Sequence, residues 1–307
     1  NNIISCKPLY IQWLAFYGKK MLFIDLCIQG LIQGAIYALI ALGLTLVYGL
    51  LRILHVAHAA LFTLGGYIGV VVTNGSGSFL LALVTAMLVV GVVGMASYRV
   101  IYKPLLNRVP LIALIASIGV FIASEELFRI FFGAYGLSYA SPPLKDQVEI
   151  LPGISLSHAR ILVVVLALGL LSGIGWMAVH TRMGVATRAT VVDPEMAASS
   201  GVNVETIRYA TFFIGSAFAG AAGVMVSLLN NLVEPTMGAV PSYKALAIIV
   251  LGGLGSVRGA LIASLALGII ESFGTIYVGN FLDRDSIAFA FLIMILMIRP
   301  QGLLVRD

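Results

Sequence analysis

The chain has 307 residues, 60% hydrophobic and only 10% charged, with a net charge of +5 and a mean hydropathy of +1.06. A soluble domain carries about 25% charged residues, so this chain cannot present a water-solvated surface and a bilayer must be its solvent. Backbone groups must then pair internally, which points to a helix bundle. The long, continuous apolar runs exclude a β-barrel, whose strands alternate over about 10 residues.

A spanning helix needs about 20 apolar residues. In chain order, the apolar pattern predicts segments at 22–50, 54–73, 79–102, 110–132, 159–180, 209–231, 244–257, 259–278 and 285–298. The expectation is an all-α polytopic membrane protein with about 8–9 membrane-embedded helices. It forms one transmembrane domain, 1–307, with an N-terminal repeat at 22–132, a loop at 133–158 and a C-terminal repeat at 159–298. Before the first segment, 8–17 is a short apolar stretch whose Tyr10, Trp13 and Tyr17 suit an interfacial anchor. No cleavable signal is expected, because the first apolar run is too long for one. Cys6 and Cys27 make no disulfide framework.

The basic residues sit between apolar runs and not in one patch, so they read as topology determinants and not as a nucleic-acid surface. Arg99, Lys103 and Arg108 cluster in one connection, Arg182, Arg188 and Arg208 in another, and Arg299 and Arg306 follow the last helix. These places fall on one side, predicted cytoplasmic together with the C-terminus, although Lys19 and Lys20 oppose the outside N-terminus this requires. The 133–158 loop is then extracytoplasmic, with Lys145 offset by Asp146 and Glu149.

Glycines recur at close-packing spacing: Gly30 and Gly34, Gly65 and Gly69, Gly169 and Gly173, Gly255 and Gly259. Leu64-Gly65-Gly66 also echoes Leu251-Gly252-Gly253, each closing a short apolar run. Short, glycine-interrupted segments in two opposed halves are the mark of an inverted repeat and point to a translocation path. Path candidates are Gln33, Tyr37, His55, His58, Thr63, Gly65, Gly66, Tyr67, Gly252 and Gly253. Asp25, Gln29, Gln33 and Tyr37 are four residues apart and form one polar stripe, suited to interhelical hydrogen bonds or to lining the path. His55 and His58 lack the further ligands a metal needs; core packing or a pH switch are the other readings, and no metal site is predicted. Glu125 and Arg129 are spaced to pair. Glu271 lies deep within 259–278, where a charged acid must face protein and have a partner; Arg258 is too far along the same helix to supply it.

The most polar connection is 181–208. Asp193-Pro194-Glu195 is a helix start, with an N-cap acceptor, a proline at N1 and an acid in the first turn. A short helix over Met196, Ala197 and Ala198 would end at Gly201, and Asn203 would cap the next one. Such a capped knob fits a groove on a soluble partner.

Glu195-Met-Ala197-Ala198-Ser-Ser-Gly201 resembles the coupling motif of bacterial ABC-importer permeases. Its surroundings resemble the LivH-type branched-chain amino acid permease family over about 22–304: Tyr37-Ala-Leu-Ile-Ala-Leu-Gly43, Val56-Ala-His58, Thr181-Arg-Met-Gly184, Met196-Ala-Ala-Ser-Ser-Gly-Val-Asn203, Leu251-Gly-Gly-Leu-Gly-Ser256 and Arg299-Pro-Gln-Gly302. The resemblance implies a permease subunit in the bacterial inner membrane that pairs with a homologous second permease. It also implies two cytoplasmic ATPases, carrying ATP and Mg, and an extracytoplasmic binding protein. No phosphate loop occurs here, so no cofactor is expected on this chain. Arg182, Arg188, Asp193, Glu195, Met196, Ala197, Ala198 and Gly201 would form the coupling surface. The family commonly shows Asn-Phe-Ala-His-Gly-Glu where this chain has His55-Val-Ala-His58-Ala-Ala60, so the acid is gone. Family solutes include branched-chain and other hydrophobic amino acids, urea, short amides and small organic acids; the apolar wall favours an amino acid. The rival reading is a stand-alone transporter or channel. An enzyme lacks a nucleophile–base pair, and a scaffold fits poorly with so much glycine.

Overall fold

The computed structural model describes residues 7–144, 146–151, 154–279 and 281–298, with side chains of the first helix from Met21. The readings placed on Tyr10, Trp13, Tyr17, Lys19 and Lys20 side chains, and on Lys145, Arg299, Arg306 and the terminal Arg-Pro-Gln-Gly motif, lie outside the described residues. The helices are α1 (Lys7–Leu51), α2 (His58–Ser76), α3 (Phe79–Ser97), α4 (Lys103–Leu105), α5 (Pro110–Phe132), α6 (His158–His180), α7 (Arg182–Val192), α8 (Pro194–Ser199), α9 (Val204–Asn230), α10 (Ala239–Gly252), α11 (Val257–Tyr277) and α12 (Arg284–Ile298). Among the described residues, seven helical stretches are long and apolar enough to cross a membrane, and α10 is a shorter apolar helix. The polytopic all-α expectation holds.

The boundaries differ from expectation where local chemistry intervenes. The short segment predicted at 244–257 runs from Ala239 to Gly252. It stops because Gly253 and Gly255 take φ of +96° and +84°, a region that costs glycine little and other residues more. The 133–158 connection, read without strands, carries an antiparallel hairpin of β1 (Gln147–Leu151) and β2 (Ile154–Ser157) with Val148 opposite Leu156. The stretch after Thr181 is also helical: Thr181 Oγ1 accepts the Gly184 amide at 3.1 Å and starts α7. Its low apolar content hid it from a reading based on hydrophobic runs.

Glycine contacts explain how the helices close on one another. A Cβ on Gly30 would lie 2.7 Å from the Ile269 Cα, and one on Gly34 2.8 Å from the Leu265 Cα. These contacts run α1 antiparallel to α11. The centre is α9: a Cβ on Gly65 would lie 2.4 Å from the Gly220 Cα, and one on Gly215 2.8 Å from the Gly43 carbonyl. By contrast, Gly169 and Gly173 have no neighbour within 4 Å, so that predicted packing pair is unused within this chain.

The two Leu-Gly-Gly motifs behave differently. Gly65 and Gly66 sit inside an unbroken α2, whereas Gly252 ends α10 and Gly253 caps it. The interruption expected at Gly65-Gly66 occurs earlier, in the non-helical stretch 52–57. This stretch turns back beside α1, and His55 packs on Phe212 with ring centroids 5.7 Å apart. Phe212 is eight residues into α9, roughly 12 Å from its start at 1.5 Å per residue. Non-helical backbone at such depth must be buried in protein or line a cavity. Here it is buried: His55, Val56 and Ala57 are 1%, 8% and 3% exposed. Ser117 of α5 serves its backbone, accepting the Val56 amide at 3.3 Å and facing the Leu54 carbonyl at 3.4 Å.

Candidate translocation path and coupling surface

The path candidates divide into separate places. Tyr37 projects from α1 and donates its hydroxyl to Glu271 Oε2 at 2.8 Å. Lys244 of α10 reaches both, with Nζ 2.8 Å from Glu271 Oε1 and 3.0 Å from the Tyr37 hydroxyl. Arg284, the first residue of α12, donates from Nε to Glu271 Oε2 at 2.9 Å, and Asp285 lies 2.8 Å from Lys244 Nζ. Two cations and two carboxylates therefore form a neutral cluster where α1, α10, α11 and α12 meet. Glu271 is 0% and Lys244 3% exposed. The sequence reading had no partner for Glu271; its counter-charges come from two other helices, 27 residues before it and 13 after. The available signal was Lys244, a lone lysine at the edge of an apolar segment.

Other members of the α1 stripe stay apart from this cluster. Gln29 donates to Asp25 at 2.7 Å, and Gln33 is half-buried one turn from Tyr37. Arg129 pairs with Glu126 and not with the predicted Glu125, since three- and four-residue spacings both bring helical side chains together.

His55 and His58 form a second buried place, with ring centroids 5.6 Å apart. His55 Nδ1 hydrogen-bonds the Tyr102 hydroxyl, and Phe212 and Tyr98 complete an aromatic cluster. His58 lies against α1, where a Cβ on Gly43 would come 3.1 Å from its ring. Thr63 returns its hydroxyl to the Ala59 carbonyl at 3.1 Å. Tyr67 stacks on Phe132 at 4.2 Å and so packs α2 onto α5. Gly66 faces Val233 and Met237, and Gly252 faces Gly259; the two glycine pairs are not brought together. A cavity of about 130 Å³ lies between α2, α3 and α5, lined by Ala57, Ala60, Leu64, Val93, Ser124 and Phe128 among others. Ala60 stands where the resemblance implied an acid, so this lining carries no charge and only the hydroxyls of Ser97 and Ser124.

The 181–208 connection folds as its caps dictate. Asp193 Oδ1 accepts the amides of Glu195 and Met196 at 2.9 and 3.0 Å. Gly201 takes φ +84°, and Asn203 Oδ1 accepts the Thr206 amide at 3.0 Å. Glu195 and Ala198 are exposed, as is Met196 at 65%. Ala197 is 5% exposed and turns inward, so it does not belong to the presented surface as expected. Arg182 is exposed, and Arg188 folds back to the Ala178 carbonyl at the end of α6. Among the described residues no group of three or more His, Cys, Asp or Glu could hold a metal.

Residues 26–298 match the family described as the permease component of branched-chain amino acid transport systems. The chain is 32% identical over 293 residues to the high-affinity branched-chain amino acid transport system permease protein BraD of Pseudomonas aeruginosa, covering 91% of this chain and 94% of that one. It is 31% identical over 298 residues to LivH of Escherichia coli, covering 92% and 96%. LivM of the same organism is 29% identical over 184 residues, covering 59% of this chain and 40% of LivM. Among solved structures, a chain of PsaBC from Streptococcus pneumoniae in complex with Fab aligns with a TM-score of 0.49 at 12% identity, covering 89% of this chain and 91% of that one. The family match spans the helical body from α1 to α12 and the curated similarity extends over nine-tenths of the chain, so this protein belongs to the permease family of branched-chain amino acid transport systems.

Proposed function

We propose that this chain is one membrane subunit of an ATP-driven importer for branched-chain or other hydrophobic amino acids in a bacterial inner membrane. It pairs with a second, homologous permease. Two cytoplasmic ATPases, which hold ATP and Mg, dock on α7 and α8. An extracytoplasmic binding protein delivers the solute. The side bearing α7, α8 and the C-terminus is cytoplasmic, the N-terminus and the β1–β2 hairpin lie outside, and 22–132 and 159–298 form opposed halves of one domain. The observation that carries this reading is α8: a six-residue helix, capped by Asp193, presenting Glu195, Met196 and Ala198 outward. Similarity to both LivH and LivM of one organism supports a paired permease. Similarity to BraD and LivH, permease proteins of branched-chain amino acid transport systems, supports a hydrophobic amino acid as the solute.

The test is reconstitution with the ATPases, partner permease and binding protein. Glu195→Lys and Ala198→Arg are expected to abolish leucine-stimulated ATP hydrolysis while the subunit still inserts. Normal stimulated hydrolysis in both variants overturns the docking assignment. In membrane vesicles, a Met196→Cys variant is expected to react with an impermeant maleimide only when the cytoplasmic face is outward; labelling from the other face reverses the orientation.

A further inference from the structure

The α8 knob is joined to the buried 52–57 stretch by consecutive contacts. Asn203 caps α9 directly after the knob, and Glu205 lies in the first turn of α9. Glu205 Oε1 pairs with Lys103 Nζ at 2.6 Å, and Tyr98 donates its hydroxyl to Glu205 Oε2 at 3.4 Å. Both partners belong to the place where α3 departs from regular helix. Residues Tyr98–Tyr102 form a π-turn, closed by the Lys103 amide donating to the Tyr98 carbonyl five residues back. Pro104 supplies the reason: it has no amide hydrogen and its ring would collide with the carbonyl four residues earlier, and the widened turn removes that collision. Tyr98 and Tyr102 are fully buried and pack on Phe212 with centroids 5.0 and 5.4 Å away. Tyr102 then hydrogen-bonds His55, in the non-helical stretch that begins α2.

We propose that Glu205, Lys103 and Tyr98 form a clasp that passes a displacement of α8, through the π-turn and Tyr102, to His55 and the start of α2. These are positioning residues and need not touch the solute. A π-turn suits the task, because such turns recur at functional sites and mark local departures from the α-helical ladder. The 52–57 stretch suits it too, since it has no helical ladder of its own to resist a shift. The proposal rests on α8 being the docking element.

Spatial succession alone does not establish coupling, so the test is a charge-swap cycle in the reconstituted complex, reading leucine transported per ATP hydrolysed. Lys103→Glu and Glu205→Lys are each expected to lower that ratio by about 5- to 150-fold, the span of ordinary coupling free energies. The double variant is expected to restore most of it. Tyr102→Phe, which removes only the hydroxyl that meets His55, is expected to lower the ratio while subunit stoichiometry stays put and the melting temperature falls no further than in His55→Asn. The clasp is overturned if the single variants and Tyr102→Phe leave the ratio unchanged. It is equally overturned if the single variants lose only assembled complex and the double swap restores nothing. If the unaltered complex itself transports leucine without ATP, the importer reading fails and the clasp falls with it.

Discussion

His55 and Glu271 are both sealed from solvent, at 1% and 0% exposure, yet their surroundings differ in kind. His55 sits among Tyr98, Tyr102 and Phe212 with His58 beside it, and its Nε2 has no hydrogen-bond partner among the described residues. Glu271 is met by Tyr37, Lys244 and Arg284, and Asp285 balances the second cation. The physical difference is that an imidazole can be neutral near physiological pH, whereas a buried carboxylate must be paired or it is strongly destabilising. A buried histidine can therefore sit where the backbone is irregular. A buried glutamate needs several helices held in fixed relation. The contrast separates an irregular, uncharged place beside the π-turn from a rigid junction of α1, α10, α11 and α12.

The strongest way to break that contrast is to remove one member of the charged cluster. Lys244→Ala leaves an uncompensated negative charge and is expected to destabilise the purified subunit by about 3 kcal/mol, read as a lower melting temperature in detergent. A variant melting like the parent would mean the cluster is not the rigid junction. Tyr37→Phe removes two hydrogen bonds, the one donated to Glu271 and the one accepted from Lys244, but no charge; the expected loss is about 2 kcal/mol, within the range for bonds to charged groups. At the other place, His55→Asn is expected to cost about 1 kcal/mol or less in stability, with its larger effect on leucine uptake. A loss equal to that of Lys244→Ala would erase the distinction. The smallest effect is that of salt. Raising ionic strength should leave the Lys244–Glu271 pair, whose side chains are 4% and 0% exposed, untouched and weaken the Lys103–Glu205 pair, whose side chains are 48% and 37% exposed.

Much of the fold was legible because local chemistry decided it. The 110–132 helix was predicted at its observed bounds, with a proline at its start and an apolar run behind it. The Asp193 and Asn203 caps formed as read, since a cap needs only its own next few residues. What stayed hidden was whatever depends on distant chain. α7 escaped because it is not apolar, and Ala197 could not be assigned inward or outward without knowing what α8 packs on. The choice of Glu126 over Glu125 by Arg129 depends on rotamers that spacing leaves open.

By itself, the sequence determined that the protein lives in a bilayer, where most of its apolar helices end, and where a capped knob projects; it separated 8–17 from the first helix, which runs unbroken from Lys7 to Leu51. Hydrophobicity, capping and glycine act over one or two turns, so they are readable in one dimension. Only the tertiary structure decided that Glu271 is neutralised by Lys244 and Arg284 and that one glycine pair packs while the other ends a helix. It also decided that the break falls at 52–57 and not at Gly65-Gly66. Each of these outcomes depends on which helices become neighbours, and a charge or a glycine cannot name its neighbour from its own stretch of chain.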